Sequence, residues 1–192
     1  MRDQSIEREI TWGGWAWKSA ARDAWHWMGD LKCLRVLELG FRSGNISRLF
    51  ARKGAVVTGV ETDAGSVAPA QAAADLEELN CRFLSYSGNL DQVPGEFDIV
   101  FSKSVLVLTD IDEFVKAIHR KLAPGGRIVC IENGRGNWAM RLARRIRHPR
   151  WDNSHVEYFT QLHVKKIRDR FDVRLEREFK FPPVYLVCGV KR

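Results

Sequence analysis

Two acidic residues and a glycine-bearing turn could together hold a nucleoside. An apolar segment leads through Glu38 into a turn that contains Gly40 and Gly44, and a helical pattern follows. A turn that opens a helix in this way presents backbone N–H groups to a ligand, here with a carboxylate beside them. Glu61 closes the next apolar segment, where its carboxylate could accept hydrogen bonds from both hydroxyls of a ribose. These four residues predict a nucleoside-containing cofactor.

The spacing of the glycines distinguishes two classes of nucleoside cofactor. A nicotinamide or flavin dinucleotide turn reads G-x-G-x-x-G, which from Gly40 would need glycines where the chain has Arg42 and Asn45. The turn that binds S-adenosylmethionine reads acid-x-G-x-G-x-G, and the chain departs from that pattern only at Arg42. On these residues the sequence resembles a class I S-adenosylmethionine-dependent methyltransferase.

Later landmarks follow that family in order and spacing. Phe83-Leu84-Ser85 resembles a short strand and precedes Gly88-Asn89, where the family usually has an acid that contacts adenine. Residues 96–101 resemble the fourth strand of the family, and residues 122–127 match the turn before its fifth strand. The resemblance covers residues 33–192. It implies a Rossmann-like, doubly wound sheet of seven strands, mostly parallel, with an antiparallel last strand inserted between the fifth and sixth.

Alternating strand and helix patterns predict an α/β fold from the residues themselves. A last helix would begin at Thr160 as its cap. The tryptophan-rich residues 1–32 are predicted to form a helical extension, an N-terminal lid, ahead of an S-adenosylmethionine-binding domain at residues 33–192. We expect strands near 35–39, 56–61, 82–85, 97–102, 127–132, 171–179 and 184–190, and helices near 46–53, 66–79, 111–122 and 160–170.

Length and composition favour an ordinary cytoplasmic protein. The 192 residues are 45% apolar and 29% charged. No apolar run reaches the roughly 18 residues that a membrane helix needs, and the N-terminus lacks an apolar signal core. The four cysteines stand apart, so we expect buried, reduced thiols and no metal ligation. The net charge of +7 favours an anionic partner.

The family resemblance assigns cofactor contacts to residues at the carboxyl ends of the strands. Glu38 would orient the ammonium group of the cofactor, and Glu61 would hold its ribose. Asn89 would accept a hydrogen bond from the adenine amino group through its side-chain carbonyl. Glycine at positions 40 and 44 would let the backbone approach the ligand closely. The expected cofactor-binding residues are Glu38, Gly40, Arg42, Gly44, Glu61, Thr62, Asn89, Leu90 and Ser102.

Arg42 is the main departure from the family pattern, because it puts a long cation where the family usually keeps a hydrogen atom. In one interpretation the side chain turns outward or pairs with the carboxylate of the cofactor. In the other, the pocket is damaged and the protein is a non-catalytic scaffold that binds S-adenosylmethionine. The four retained acidic and glycine positions favour the first interpretation.

Residues near the mouth of the predicted pocket could meet the methyl acceptor. Trp12 and Trp15 precede an amphipathic helix and could form a lid, although aromatic side chains more often pack in a core. Lys103 follows the fourth strand, and Asn133 and Arg135 follow the fifth. We therefore expect these five residues on the substrate side.

The stretch after the fifth strand supplies the remaining candidates. The arginine-rich residues 138–150 are either a solvated helix face or a clamp for phosphate or an anionic lipid surface. His155 lies in a histidine-then-Tyr-Phe stretch that resembles small-molecule members near the quinone-biosynthesis methyltransferases. It is the candidate catalytic base, because a histidine can remove a proton near neutral pH, and a structural role is the alternative. His119 and His163 are expected on the surface.

The sequence favours methyl transfer from S-adenosylmethionine to a hydroxyl or carboxylate of a small molecule or glycan, with an anionic acceptor suggested by the arginines. A nucleic-acid methyltransferase is the first alternative, motivated by the positive charge. The Asn/Asp-Pro-Pro-aromatic motif common in amino-group methylation of bases is replaced here by residues 101–104, Phe-Ser-Lys-Ser. A non-catalytic scaffold is the second alternative. Weak peripheral contact with a membrane would be an added property.

Overall fold

The computed structural model describes Ile6, Arg8, residues 14–135 and residues 158–192. The predicted residues Trp12 and His155 and the arginine-rich residues 138–150 lie outside this part of the chain. The helices are α1 (Trp15–Met28), α2 (Asn45–Arg52), α3 (Val67–Leu76), α4 (Ile111–Lys121) and α5 (Gln161–Arg168). The strands are β1 (Arg35–Leu39), β2 (Val56–Glu61), β3 (Cys81–Ser85), β4 (Phe97–Lys103), β5 (Leu122–Asn133), β6 (Phe171–Lys180) and β7 (Pro183–Lys191).

The seven strands form one sheet in the order β3-β2-β1-β4-β5-β7-β6. The pairs among β1 to β5 are parallel, and β7 is antiparallel to both β5 and β6. The predicted Rossmann-like sheet is therefore confirmed, including the insertion of the last strand between the fifth and sixth. Strands β2 and β3 extend the sheet on one side of β1, and β4 and the later strands extend it on the other side. The strand order therefore reverses between β1 and β4.

Alternate residues of the central strands enter two separate cores, as the period of a strand requires. Val36 and Phe101 pack on the side of α1, α2 and α3. Leu37 and Val100 pack on the opposite side, with α4 and α5. Both faces of the sheet are therefore covered, which explains why these strands read as continuous apolar runs in the sequence.

Helix α1 lies on the sheet through small buried residues on one face, among them Ala20 and Ala24. Trp17 is buried in the same core, and the ring of Trp25 stacks on Phe50 with 6.0 Å between centroids. Trp15, at the first turn, is 61% exposed. The helix thus contributes core packing along most of its length. Among the described residues no helix combines the length and the apolar character that crossing a membrane demands.

The structure corrects three sequence-based expectations. Strand β5 begins at Leu122, earlier than expected, because Leu122 pairs with Phe97 before the register shifts across the Pro-Gly-Gly turn. Cys33 is exposed, whereas the other three cysteines are buried as predicted. His163 is buried, because its Nδ1 accepts a hydrogen bond from the backbone N–H of Thr160 (3.1 Å) and its ring stacks on Phe159.

Candidate functional site

The candidate site lies at the carboxyl ends of β1, β2, β4 and β5. In the parallel register Glu38 is opposite Gly59 of β2 and Phe101 of β4, so the residues that follow these strands share one edge of the sheet. This edge is also where the strand order reverses, and parallel α/β sheets open a ligand crevice at such points. The fold therefore brings the predicted acids, glycines and Lys103 to one edge.

The turn after β1 depends on two glycines. Gly40 has φ +70°, and a Cβ atom there would lie 2.6 Å from Cγ2 of Val105. Gly44 has φ +71°, and its added Cβ would lie 2.8 Å from Cζ of Phe83. Both positions therefore combine a left-handed backbone with no room for a side chain. The result is a tight turn that packs directly against Val105 and Phe83.

Glu38 is buried beneath this turn. The hydroxyl of Ser47, from α2, donates a hydrogen bond to Glu38 Oε2. Burial raises the pKa of Glu38 to about 7, while the Ser47 hydrogen bond and the charge of Lys103 act in the opposite direction. A carboxyl group with a pKa near neutrality can gain a full negative charge when a cation binds beside it. Sequence analysis did not select Ser47. Its only distinguishing feature in the sequence was a hydroxyl on the inward face of the first turn of α2.

Glu61 is joined to the turn by backbone hydrogen bonds. The N–H of Arg42 donates to Glu61 Oε2 (3.2 Å), and the N–H of Thr62 donates to Oε1 (2.9 Å). The hydroxyl of Thr62 also donates to Oε1 (3.3 Å), whereas Oε2 keeps a further lone pair, so the half-buried carboxylate can still accept a hydrogen bond from a ligand. The backbone of Arg42, with φ +52°, is thus part of the turn and donates its N–H to Glu61. The side chain of Arg42 is exposed.

Lys103 brings a cation to the same edge, at the end of β4. Its side chain is half-buried, and this burial lowers its pKa. The negative charge of Glu38 raises the pKa of Lys103, and the positive charge of Arg42 lowers it further. Lys103 therefore lies close enough to Glu38 and Arg42 for their charges to influence its pKa. A partly desolvated ammonium group is suited to hold an anionic oxygen.

The residues after β3 form the far side of the edge. The side-chain oxygen of Asn89 accepts a hydrogen bond from the N–H of Asp91 (2.9 Å), and Leu90 is buried in the core. Tyr86, which sequence analysis missed, donates its backbone N–H to the carbonyl of Glu61 (3.0 Å). Burial, with a smaller contribution from the charge of Glu61, raises the pKa of Tyr86 to about 12. The sequence signal for Tyr86 was its place as an aromatic residue directly after β3.

The residues predicted near the ends of β4 and β5 differ in their burial. Ser102, near the end of the neighbouring β4, is fully buried, and its hydroxyl donates to Glu132 Oε1 (2.7 Å). Asn133 is half-buried and donates through Nδ2 to the hydroxyl of Ser104 (3.1 Å). Arg135 is exposed. Glu132 is a buried acid that sequence analysis did not select, although an acid at the end of an apolar strand was visible.

Trp15 lies near the β5 end of the same edge. Its ring meets the ring of Phe179 edge-on, with 5.7 Å between centroids. Gly14 lies next to Pro182, which immediately precedes β7, and Val184 of β7 pairs with Asn133. Trp15 is therefore a candidate for the rim of the site, together with the predicted residues of β5. Within the described ranges no group of three or more His, Cys, Asp and Glu side chains is arranged to hold a metal ion.

A family model described as a methyltransferase domain matches residues 37–130. The chain is 28% identical over 102 residues to the ubiquinone biosynthesis O-methyltransferase of Pseudomonas aeruginosa (strain LESB58), which covers 49% of this chain and 42% of that protein. It is 31% identical over 114 residues to the protein of the same name from Caulobacter sp. (strain K31), covering 58% and 45%. The chain thus spans less than half the length of these curated relatives.

The fold is similar to that of a solved methyltransferase. The magnesium protoporphyrin IX methyltransferase from Synechocystis PCC 6803, a structure with bound SAH, superposes with a TM-score of 0.68. The match covers 96% of this chain and 92% of that one, at 19% sequence identity. An identity this low establishes the likeness of fold alone.

The geometry of the edge fits a ligand that carries an ammonium group and a ribose. The cradle formed by Gly40 and Gly44 carries no side chains of its own and packs on Val105 and Phe83, which keeps the turn compact at the edge of the sheet. One acid lies beneath the cradle, and a second is oriented at its rim by two backbone amides. Arg42 does not disturb this arrangement, because its side chain is exposed.

Proposed function

We propose that this chain is a class I S-adenosylmethionine-dependent methyltransferase that methylates a hydroxyl or carboxylate oxygen of a small molecule or glycan. The cofactor of the protein is accordingly S-adenosylmethionine. The observation that carries the proposal is the hydrogen bond from the N–H of Arg42 to Glu61, because it unites the glycine turn and the second acid in one ligand-binding edge.

On the cofactor side, we assign one role to each element of the edge. Glu61 would accept hydrogen bonds from the ribose hydroxyls, and Glu38 would face the ammonium group of the methionine portion. Binding of that cation stabilises the charged form of Glu38 and lowers its pKa from about 7. Gly40 and Gly44 would keep the turn compact beside the ligand, because a side chain at either position would clash with Val105 or Phe83. Asn89 and Tyr86 would flank the adenine.

On the acceptor side, Lys103 supports an oxygen nucleophile. An ammonium group beside an acceptor hydroxyl favours its ionised form, and beside a carboxylate it fixes the orientation of the group. The sulfonium of S-adenosylmethionine supplies a methyl group that is already activated, so most of the catalysis is positioning. For an unactivated hydroxyl we keep His155 as the proposed acceptor of the proton. Trp12, Trp15, Asn133 and Arg135 remain proposed contacts of the acceptor.

The comparisons favour an oxygen atom as the methyl acceptor. The curated relatives are named O-methyltransferases of ubiquinone biosynthesis, and they align with about half of this chain. Two cations at the edge, Lys103 and Arg42, favour an anionic acceptor such as a phenolate, a carboxylate or an acidic sugar. A cytoplasmic location is part of the proposal and is supported by the three buried thiols.

The proposal is tested in two steps. Calorimetry of the wild-type protein with S-adenosylmethionine and S-adenosylhomocysteine should show binding of both. Transfer of radiolabelled methyl from S-adenosylmethionine to a panel of phenols, benzoates and sugar acids, with the product identified by mass spectrometry, should then show an O-methyl product. Absence of binding would refute the function as a whole. Binding without transfer to any acceptor would favour the non-catalytic scaffold, and an N-methyl product would refute the choice of oxygen.

A further inference from the structure

Glu132 links the end of β5 to the residues that follow β4. Its Oε1 accepts a hydrogen bond from the hydroxyl of Ser102 (2.7 Å) and faces the backbone N–H of Val105 (3.4 Å). The residue is fully buried, so both contacts form away from solvent. A hydrogen bond in such surroundings is electrostatically stronger than one in water. One carboxyl group thus holds the segment at both ends, before and after Lys103 and Ser104.

Ser104 lies inside this held segment in a strained conformation. Its φ is +59°, a left-handed value that non-glycine residues rarely adopt. The backbone N–H of Ser104 donates to the carbonyl of Ile131 (2.9 Å), and its hydroxyl accepts from Asn133 Nδ2 (3.1 Å). Three consecutive residues of β5, Ile131 to Asn133, therefore bind residues 102–105. We call this set of contacts the β5 clamp.

The clamped segment touches the cofactor turn. Cγ2 of Val105 lies against Gly40, closely enough that a Cβ at Gly40 would be 2.6 Å away. Lys103, two residues earlier, is the partly buried cation that senses Glu38. The position of residues 103–105 therefore determines both the floor of the glycine cradle and the place of the ammonium group. A shift of these residues would alter the cofactor side and the acceptor side together.

Burial of an acid at this point is costly in comparison with an apolar residue. A carboxyl group removed from water loses hydration that only hydrogen bonds can replace. The second oxygen of Glu132, Oε2, is buried and makes no hydrogen bond within the described part of the chain. Burial accordingly raises the pKa of Glu132 to about 7, which the Ser102 hydroxyl and the neighbouring backbone amides partly oppose. Packing alone would be served better by an apolar side chain.

We infer that Glu132 is a positioning residue for methyl transfer, which fixes residues 103–105 against the cofactor turn through Ser102 and the backbone amide of Val105. The inference rests on the proposed function, because it concerns the same site. Glu132 would act only through residues 103–105, because its own side chain is fully buried.

The test compares Glu132→Ala and Glu132→Gln with the control Val129→Ala. Glutamine keeps an oxygen that can accept from Ser102 and Val105, whereas alanine removes both contacts. Val129 is fully buried on the same strand but packs in the opposite core, away from the clamp. Two quantities are measured for each protein: amide hydrogen exchange of residues 103–107, and the affinity for S-adenosylhomocysteine by calorimetry, both well below the melting temperature.

Glu132→Ala should raise exchange in residues 103–107 selectively and weaken S-adenosylhomocysteine binding by about tenfold, the effect of losing a buried hydrogen-bond pair. Glu132→Gln should restore both quantities to within about threefold of the wild type. Val129→Ala should lower the melting temperature and leave both unchanged.

Three outcomes would overturn the inference: unchanged exchange and affinity in Glu132→Ala, a loss in Glu132→Gln as large as in Glu132→Ala, or an equal loss in Val129→Ala. The last result would mean that Glu132 only contributes to stability. If the wild type binds no S-adenosylhomocysteine, the proposed function fails, and the positioning role fails with it. The exchange data would then still decide whether Glu132 holds residues 103–105, so the two failures remain distinguishable.

Discussion

The backbone N–H of Arg42 donates a hydrogen bond to the carboxylate of Glu61, 19 residues away, at a distance of 3.2 Å. This contact ties the turn after β1 to the tip of β2. The backbone N–H of Arg42 orients the carboxylate of Glu61, whereas the side chain of Arg42 is exposed. A cation at this position is therefore compatible with the cradle that Gly40 and Gly44 form.

Replacing Glu61 with alanine should weaken S-adenosylhomocysteine binding about 10- to 100-fold, because hydrogen bonds to a charged group are worth about 1.5–3 kcal/mol each. Calorimetry measures the loss. The matched control is Glu96→Ala, an exposed acid before β4 that should leave the affinity unchanged. Equal affinity in wild type and Glu61→Ala would remove Glu61 from the cofactor site.

Gly40→Ala should destabilise the protein more than Gly95→Ala does. Both glycines have positive φ, so each substitution incurs the same kind of backbone strain, about 1–2 kcal/mol. Only at Gly40 does the new Cβ also clash, with Cγ2 of Val105 at 2.6 Å, whereas Gly95 has nothing within 4 Å. Urea unfolding measures the difference. Adding Val105→Ala to Gly40→Ala should recover part of the loss, and no recovery would contradict the clash.

Lys103→Met should reduce kcat/KM for anionic acceptors about tenfold or more, because it removes a charged hydrogen-bond donor of similar length. The affinity for S-adenosylhomocysteine should stay within about threefold of the wild type, since the proposal pairs Lys103 with the acceptor. Lys32→Met, at an exposed position before β1, is the control. A large loss of S-adenosylhomocysteine affinity in Lys103→Met would instead assign Lys103 to the carboxylate of the cofactor.

Stability should fall between pH 4.5 and pH 7 through the buried acids. The pKa of Glu132 is raised from 4.5 to about 7 in the folded state, mainly by burial. Between these values the folded protein holds a proton that the unfolded chain has released, so rising pH favours unfolding, and the effect levels off above pH 7. Glu38 acts in the same direction.

Glu132→Gln should reduce this loss, because glutamine does not titrate. Urea unfolding at pH 5 and pH 7.5 measures it, and the expected difference between wild type and variant is on the order of 2–3 kcal/mol. Glu113→Gln, an exposed acid on α4, should behave as the wild type does. An identical pH dependence in Glu132→Gln and the wild type would show that Glu132 titrates near its ordinary value.

Among the four cysteines, Cys33 should be the one that reacts rapidly in the folded protein. It is exposed, while the other three are buried, and burial raises the pKa of Cys81 to about 11. A thiol-reactive chromogenic disulfide should therefore titrate one thiol in native buffer and four in denaturant, with Cys33→Ser removing the native signal. Rapid reaction of a second thiol would contradict the burial of Cys81, Cys130 and Cys188.

The sequence alone determined the order of elements and the residues at the strand ends. Apolar alternation and the turn residues place β1 at 35–39 and β2 at 56–61, as observed, because a strand needs only its own pattern to be recognised. Glu38, Gly40 and Glu61 follow directly, since the carboxyl ends of neighbouring parallel strands must meet. The family pattern added the inserted last strand, which no local pattern specifies.

Only the tertiary structure decided how the side chains are paired. Ser102 and Glu132 are 30 residues apart, and their contact depends on the register between β4 and β5, which the residues themselves do not state. The direction of the Arg42 side chain likewise depends on the path of the turn and on Glu61. Periodicity tells which face of a strand or helix a residue occupies, but long-range contacts arise from packing that involves the whole chain.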